Sequence, residues 1–146
     1  SNAVWKTVDR GHSWTRISAD LARATWEVPA RVGKDSSQVT PAPQGSITAL
    51  ALSPKNGKVI WAGTDDGSIQ VTVDGGAKWT NVTPPRIKPW ARVFNMDAGH
   101  FDAQTAWVAH PRRVVVLAVF GDDRGFVCDL GAQVVQQLLA FVHFRP

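Results

Sequence analysis

Short alternations of apolar and polar residues, each closed by a turn sequence, organise the middle of the chain. Residues 47–82 contain four such runs, separated by Ser, Pro, Asn, Asp and Gly. Runs of this length between short turns favour antiparallel hairpins over helices. A four-stranded antiparallel sheet of this size is the unit, or blade, of a β-propeller. The pattern therefore predicts an all-β fold with these strands: Ile47–Leu52, Val59–Gly63, Ile69–Val73 and Trp79–Val82.

One turn sequence occurs twice and identifies a repeat. Residues 7–14 and 72–79 share Thr, Val, Asp, Gly and Trp at a constant offset of 65. We expect each Asp carboxylate to accept hydrogen bonds from amides of its own loop, and the Gly that the two turns share to adopt a positive φ. The Trp opens the returning strand, where we expect its ring to be buried against a neighbouring sheet. The structural residues of the two turns are Thr7, Asp9, Gly11 and Trp14, and Thr72, Asp74, Gly76 and Trp79.

A second internal match gives the spacing of the repeat. Residues 93–109 align with residues 47–63 at an offset of 46, which pairs Trp107 with Trp61. The larger offset between the two turns arises because residues 19–46 form a longer connector than the next one along the chain. Its prolines interrupt any regular element, so we expect an inserted surface loop, and long loops on a rigid scaffold often carry binding function.

After about His110 the sequence matches the repeat poorly, and we interpret residues 111–146 as a divergent C-terminal segment. A third turn falls near residue 120, where Asp123-Arg124-Gly125 is present but the Thr and the Trp are replaced. Farther on, apolar residues recur at helical spacing. They predict a helix, while their β-branched members leave a strand open: Val134, Val135, Leu138, Leu139 and Val142.

Composition and charge narrow the functional classes. The net charge of +4 comes from dispersed basic residues without interleaved aromatic rings, which favours a solvated surface over a nucleic-acid interface. No apolar run approaches the roughly 20 residues of a membrane-spanning helix. Residues 1–3 (Ser-Asn-Ala) are typical of a cleaved expression tag, and Cys128 is the chain's one cysteine, so no disulfide forms within it.

The form Ser/Thr-x-Asp-x-Gly-x-x-Trp resembles the Asp-box, or bacterial neuraminidase repeat, of sialidases, sortilin-type receptor ectodomains and xyloglucanase-like glycosidases. Residues 61–67, 71–76, 79–84 and 101–109 are similar to the bacterial sortilin and glycosyl-hydrolase-like members of that group. The resemblance covers residues 4–110, about 1.5 to 2 blades of a partial β-propeller. It implies an extracellular or periplasmic location. It also implies that the Asp box is a structural hairpin remote from the active centre, so it assigns no catalytic role to Asp9 or Asp74.

Candidate catalytic and metal-binding residues are few. Glycoside hydrolysis needs two facing carboxylates, and the adjacent Asp65 and Asp66 are instead expected to be solvated in a strand turn. The chain has no Tyr, which argues against the sialidase mechanism. Its four histidines have no metal-ligand spacing, and no phosphate-binding Gly motif precedes a helix. We therefore expect no catalytic residue, metal or cofactor.

Two tryptophans outside the repeat positions are candidate ligand contacts. Trp26 and Trp90 lie in the connectors, where an indole ring could stack on a sugar, and Arg92 would place a cation beside the second ring. The competing interpretation is that each ring covers a sheet edge.

The sequence thus predicts a non-catalytic structural or interaction module with protein or glycan partners. We expect it to associate with itself through open blade edges. One alternative is a portion of a secreted, xyloglucanase-like glycoside hydrolase whose catalytic acids lie outside this chain. Another is a regulator that dimerises through a helix at residues 134–142.

Overall fold

The computed structural model describes residues 1–23, 45–85 and 87–110, and the backbone of residues 113–118. These residues form strands and turns without a helix, which confirms the all-β prediction. The described strands make three antiparallel sheets, with two, four and three strands in chain order. The strands are β1 (Trp5–Lys6), β2 (Thr15–Arg16), β3 (Ile47–Leu52), β4 (Ile60–Thr64), β5 (Ile69–Thr72), β6 (Thr80–Asn81), β7 (Asn95–Ala98), β8 (Thr105–His110) and β9 (Arg113–Ala118).

The four-stranded sheet follows the order of the chain, β3-β4-β5-β6, as its short turns require. Leu50 faces Ala62 across β3 and β4, and Trp61 faces Val71 across β4 and β5. All five residues of β4 are buried, because this strand lies inside the sheet and both faces of the sheet are covered. The predicted sheet is thus confirmed, with β6 shorter than the run that predicted it.

The main core lies between the four-stranded sheet and the three-stranded sheet. Trp61 and Val71 from the former pack in one cluster with Val93 and Val108 from the latter side, all of them buried. Gly63 permits this approach, since a Cβ there would lie 2.5 Å from Val93 Cγ1. The alternation of β3 and β7 therefore places one apolar face of each strand in a shared interior.

A smaller core covers the other face of the four-stranded sheet. Val4, Leu21 and Ala62 are buried together. Partly buried apolar residues pack around them: Ile17, Ile47 and Trp79. The four-stranded sheet is thus sandwiched between the β1–β2 hairpin and the β7–β9 sheet.

The prediction that both turn tryptophans are buried is wrong for Trp14. Its side chain is 58% exposed, and Trp5 is similarly exposed, whereas Trp79 is partly buried against Ile17. Trp79 has the β1–β2 hairpin beside it. Among the described residues no sheet covers the corresponding side of that hairpin, so Trp14 faces solvent.

Several predictions lie outside the described residues. They concern most of the connector at residues 19–46, including Trp26, as well as the third turn near residue 120, the helix at residues 134–142 and Cys128. Of the divergent C-terminal segment, β9 is described, and it pairs with β8 along its whole length.

Candidate functional site

The first repeated turn is held by a compact network of hydrogen bonds around one carboxylate. We call the turn at residues 7–14 the first Asp turn. The Thr7 hydroxyl donates to Asp9 Oδ1 at 2.8 Å, and the Ser13 amide donates to the same oxygen at 2.9 Å. The Gly11 amide donates to Thr7 Oγ1 at 2.8 Å. Arg10 and Gly11 both have positive φ, of 58° and 94°, which closes the loop tightly.

The second Asp turn, residues 72–79, repeats this network. The Thr72 hydroxyl donates to Asp74 Oδ1 at 2.7 Å, the Lys78 amide donates to the same oxygen at 3.0 Å, and the Gly76 amide donates to Thr72 Oγ1 at 2.9 Å. Gly75 and Gly76 have φ of 80° and 106°. In both copies the Asp accepts an amide hydrogen bond from its own loop and the Gly has a positive φ, as expected, and the Thr hydroxyl adds a bond for which the sequence analysis gave no role.

The same hydrogen bonds keep both turn carboxylates ionised. The Ser13 hydroxyl and amide, followed by the Thr7 hydroxyl, lower the pKa of Asp9 from 3.8 to about 2. The Lys78 amide and then the Thr72 hydroxyl lower the pKa of Asp74. A carboxylate stabilised in this way is a poor proton donor at neutral pH, and its oxygens already hold the loop. The carboxylates of Asp9 and Asp74 therefore have a structural role in their turns.

The buried Asp66 forms a third turn of the same kind, which the sequence prediction missed. The side chain of Asp66 is buried, so the expectation of a solvated turn carboxylate is wrong for this residue. The Thr64 hydroxyl donates to Asp66 Oδ1, and the Ser68 amide donates to Thr64 Oγ1 at 2.8 Å. The shared Thr-x-Asp spacing, with the amide four residues after the Thr closing the loop, was the signal that could have revealed it. We call residues 64–68 the third Asp turn.

Asp66 also joins two connectors to the sheet. The Arg23 amide donates to Asp66 Oδ2 at 2.8 Å, and Arg23 Nε donates to the Asp66 carbonyl at 2.9 Å. The Trp90 amide donates to that same carbonyl at 2.9 Å. Asp66 thus fixes both the connector that precedes the four-stranded sheet in the chain and the connector that follows it.

Two of the three candidate ligand residues, Trp90 and Arg92, lie in the connector that follows the four-stranded sheet. Trp90 has a φ of 68° and a partly exposed side chain. The Arg92 guanidinium lies 5.8 Å from the ring centroid of Phe94, so the ring that it covers is Phe94. Phe94 is 56% exposed, and the sequence analysis did not name it as a candidate contact.

A shallow groove lies where the second Asp turn meets the first sheet. Trp79 Nε1 donates to the Ile17 carbonyl at 2.9 Å, and a Cβ at Gly76 would lie 2.7 Å from that same oxygen. The groove has a volume of about 460 Å³ and is lined by Arg16, Ile17, Ser18, Ala19, Gly76, Ala77 and Trp79.

The described part of the chain contains no group of three or more His, Cys, Asp or Glu residues placed to hold a metal ion. His100 Nε2 lies 3.6 Å from Asp97 Oδ1, and both side chains are largely exposed. No helix in these residues is long and apolar enough to cross a membrane.

Comparisons with known proteins add no family. Neither a scan against protein-family models nor a search of curated proteins returns a match for this chain. The Asp-box resemblance therefore depends on the turn residues and their geometry.

Proposed function

We propose that the chain is a non-catalytic structural or interaction module built from blades of an Asp-box β-propeller. Strands β3–β6 form one complete blade in this proposal. The β1–β2 hairpin corresponds to the two outer strands of the preceding blade, and β7–β9 to the first three strands of the next. The recurrence of hydrogen bonds at the offset of 65 residues supports this assignment: the Ile17 amide donates to the Val4 carbonyl at 3.0 Å, and the Val82 amide donates to the Ile69 carbonyl at 2.9 Å.

The observation that carries the proposal is the use of the turn carboxylates. Asp9, Asp74 and Asp66 each accept hydrogen bonds from their own loop, so these three acids hold turns in place. What such a scaffold offers to other molecules is the surface of its sheets and connectors.

The proposed partners are proteins or glycans, together with further copies of the chain. Open sheet edges favour association, because their backbone amides and carbonyls can pair with another strand. Trp90, Arg92 and Phe94 are the candidate glycan contact: Trp90 and Phe94 are exposed by 36% and 56%, and aromatic rings of this kind can stack on a sugar. The proposed location outside the cytoplasm follows from the resemblance alone.

A carbohydrate assay tests the functional class. The purified chain is incubated with xyloglucan oligosaccharides and aryl glycosides, and released sugar is followed by chromatography. We expect no release. Release that disappears in the variant Asp97→Ala or Asp102→Ala would overturn the non-catalytic proposal, because these are exposed carboxylates outside the Asp turns.

The glycosidase alternative requires a different test. In that case a pair of facing acids would lie in flanking blades, and joining those blades to this chain would produce hydrolysis. An interaction module would stay inactive in the same assay.

A further inference from the structure

Two leucines on β3 are exposed, whereas the residues at the equivalent positions of the repeat in the next sheet are buried. Leu50 and Leu52 are 47% and 57% exposed. The residues 46 positions later are Met96 and Ala98 on β7, which are 6% and 2% exposed. The two pairs occupy equivalent places in the repeat, so the difference in exposure comes from what covers them.

The structure shows what covers the buried pair. Met96 and Ala98 belong to the same cluster as Ala49, Ala51 and Trp61, which come from β3 and β4. At this position of the repeat, the cover therefore consists of small side chains on the first strand of the sheet, which we call its innermost strand, and one large ring on the strand beside it.

Among the strands that the structure describes, none pairs with the outer edge of β1 in the β1–β2 hairpin. By the offset of 65 residues, β1 is equivalent to β5, and β5 pairs with β4 on one edge and β6 on the other. Within the described residues, β1 pairs with β2 alone. We call the free edge of β1 together with the exposed Leu50 and Leu52 the open notch.

We propose that the open notch binds a β-hairpin with the residue pattern of β3–β4, supplied by a partner polypeptide, and that this hairpin completes a four-stranded sheet. The inference rests on the proposed function and names the partner's chemistry. Its innermost strand carries alanine-sized residues at alternate positions against Leu50 and Leu52, and its second strand pairs antiparallel with β1. The register of β4 with β5, moved back by 65 residues, places the residue equivalent to Ala62 opposite Trp5.

The opposite side of the molecule does not fit the notch. Asn95 and Asp97 on β7 occupy the repeat positions of Ala49 and Ala51, and both are exposed. If a second copy docked that face against the leucines, the Asp97 carboxylate, now exposed with His100 Nε2 3.6 Å away, would lose its contact with water among apolar side chains, at a cost in free energy. A hairpin with small apolar residues avoids this cost, so it is the occupant that the geometry favours.

A synthetic hairpin that copies residues 47–64 is the probe. It is labelled with a fluorophore and titrated with the full chain, and anisotropy reports binding. We expect saturable 1:1 binding. The variant Leu52→Lys places a charge in the notch and should weaken binding at least about tenfold. The matched variant Asp97→Lys lies at an exposed position of β7, outside the notch, and should leave binding unchanged.

The probe carries its own control for orientation. In the proposed pose its residue Ala51 faces the notch and its residue Leu50 faces away, because neighbours on a strand point to opposite faces. The probe variant Ala51→Lys should therefore lose binding, and Leu50→Lys should retain it. Absence of saturable binding would overturn the inference, as would equal effects of the two protein variants or of the two probe variants.

A separate measurement distinguishes this failure from failure of the proposed function. The Asp turns can be tested by the pKa of Asp9. If that pKa is about 2 while the hairpin does not bind, the blade assignment stands and the notch inference falls. If it lies near 3.8, the Asp-turn assignment and the proposed function fall first.

Discussion

The indole nitrogen of Trp79 donates a hydrogen bond of 2.9 Å to the carbonyl oxygen of Ile17, and this contact joins the second Asp turn to the preceding sheet. The two residues lie 62 positions apart in the chain. The turn itself is fixed by Asp74, so the ring that follows it is presented in a defined orientation. The second Asp turn thus positions Trp79 to pack against the sheet before it.

Removal of the indole N–H should therefore weaken the junction between these sheets. We expect Trp79→Phe to lower the free energy of unfolding by about 1–2 kcal/mol, because the Ile17 carbonyl loses its donor and part of the ring is lost. Trp14→Phe is the matched control at the equivalent, exposed position and should change it by less than about 0.5 kcal/mol. Urea denaturation followed by circular dichroism measures both. Equal losses in the two variants would contradict the assignment.

Gly76 should be intolerant of any side chain. Its φ of 106° disfavours residues with a Cβ, and that atom would lie 2.7 Å from the Ile17 carbonyl oxygen. We expect Gly76→Ala to destabilise the protein by about 2 kcal/mol. Gly57→Ala is the control, since a Cβ there would meet nothing within 4 Å. A thermal melt that shows the two variants to be alike would refute the turn geometry.

The first Asp turn should lose stability in acid. Because the folded pKa of Asp9 is about 2 and its ordinary value is 3.8, the folded state binds this proton less tightly than the unfolded chain. The stabilising contribution is therefore present above about pH 4 and disappears as the pH falls through about 2. An NMR titration of the carboxyl carbon gives the value directly.

The Ser13 variant identifies the cause of the pKa shift. Ser13→Ala removes the hydroxyl that contributes most, so the pKa of Asp9 should rise toward 3.8. An unchanged titration in this variant would show that another group is responsible.

The buried Asp66 should be the most sensitive of the turn carboxylates. Asp66→Ala leaves the Arg23 and Ser68 amides and the Thr64 hydroxyl without this acceptor. We expect a loss of about 3 kcal/mol in the free energy of unfolding. Asp97→Ala, at an exposed position, should change it by less than about 0.5 kcal/mol. A small effect of Asp66→Ala would mean that water replaces the carboxylate and that the third turn is not structural.

The sequence predicted the local structure better than the environment around it. Alternation along β3 and the duplicated Thr-x-Asp-x-Gly turn led directly to the antiparallel sheet and to the roles of Asp9 and Asp74, because those hydrogen bonds form within a few residues. The exposure of Trp14 and the burial of Asp66 depend on which distant segments pack nearby. The buried Asp66 accepts hydrogen bonds from Arg23 and Trp90, 43 and 24 positions away, and no local pattern encodes those contacts.

The ligand contacts show the same limit. A cation next to a ring was expected from the neighbouring Trp90 and Arg92, yet the guanidinium lies over Phe94, two residues farther along. Trp90 and Phe94 each lie two residues from Arg92, but Trp90 has a φ of 68°, outside the extended conformation that places residues i and i+2 on one side.

The solution mass of the purified chain, measured by light scattering coupled to size exclusion, tests the central claim that open sheet edges are completed by other polypeptides. We expect a discrete assembly whose mass is two or more times 15.9 kDa. A folded species that stays at 15.9 kDa at every concentration, with no further mass when the hairpin of residues 47–64 is added, would contradict it.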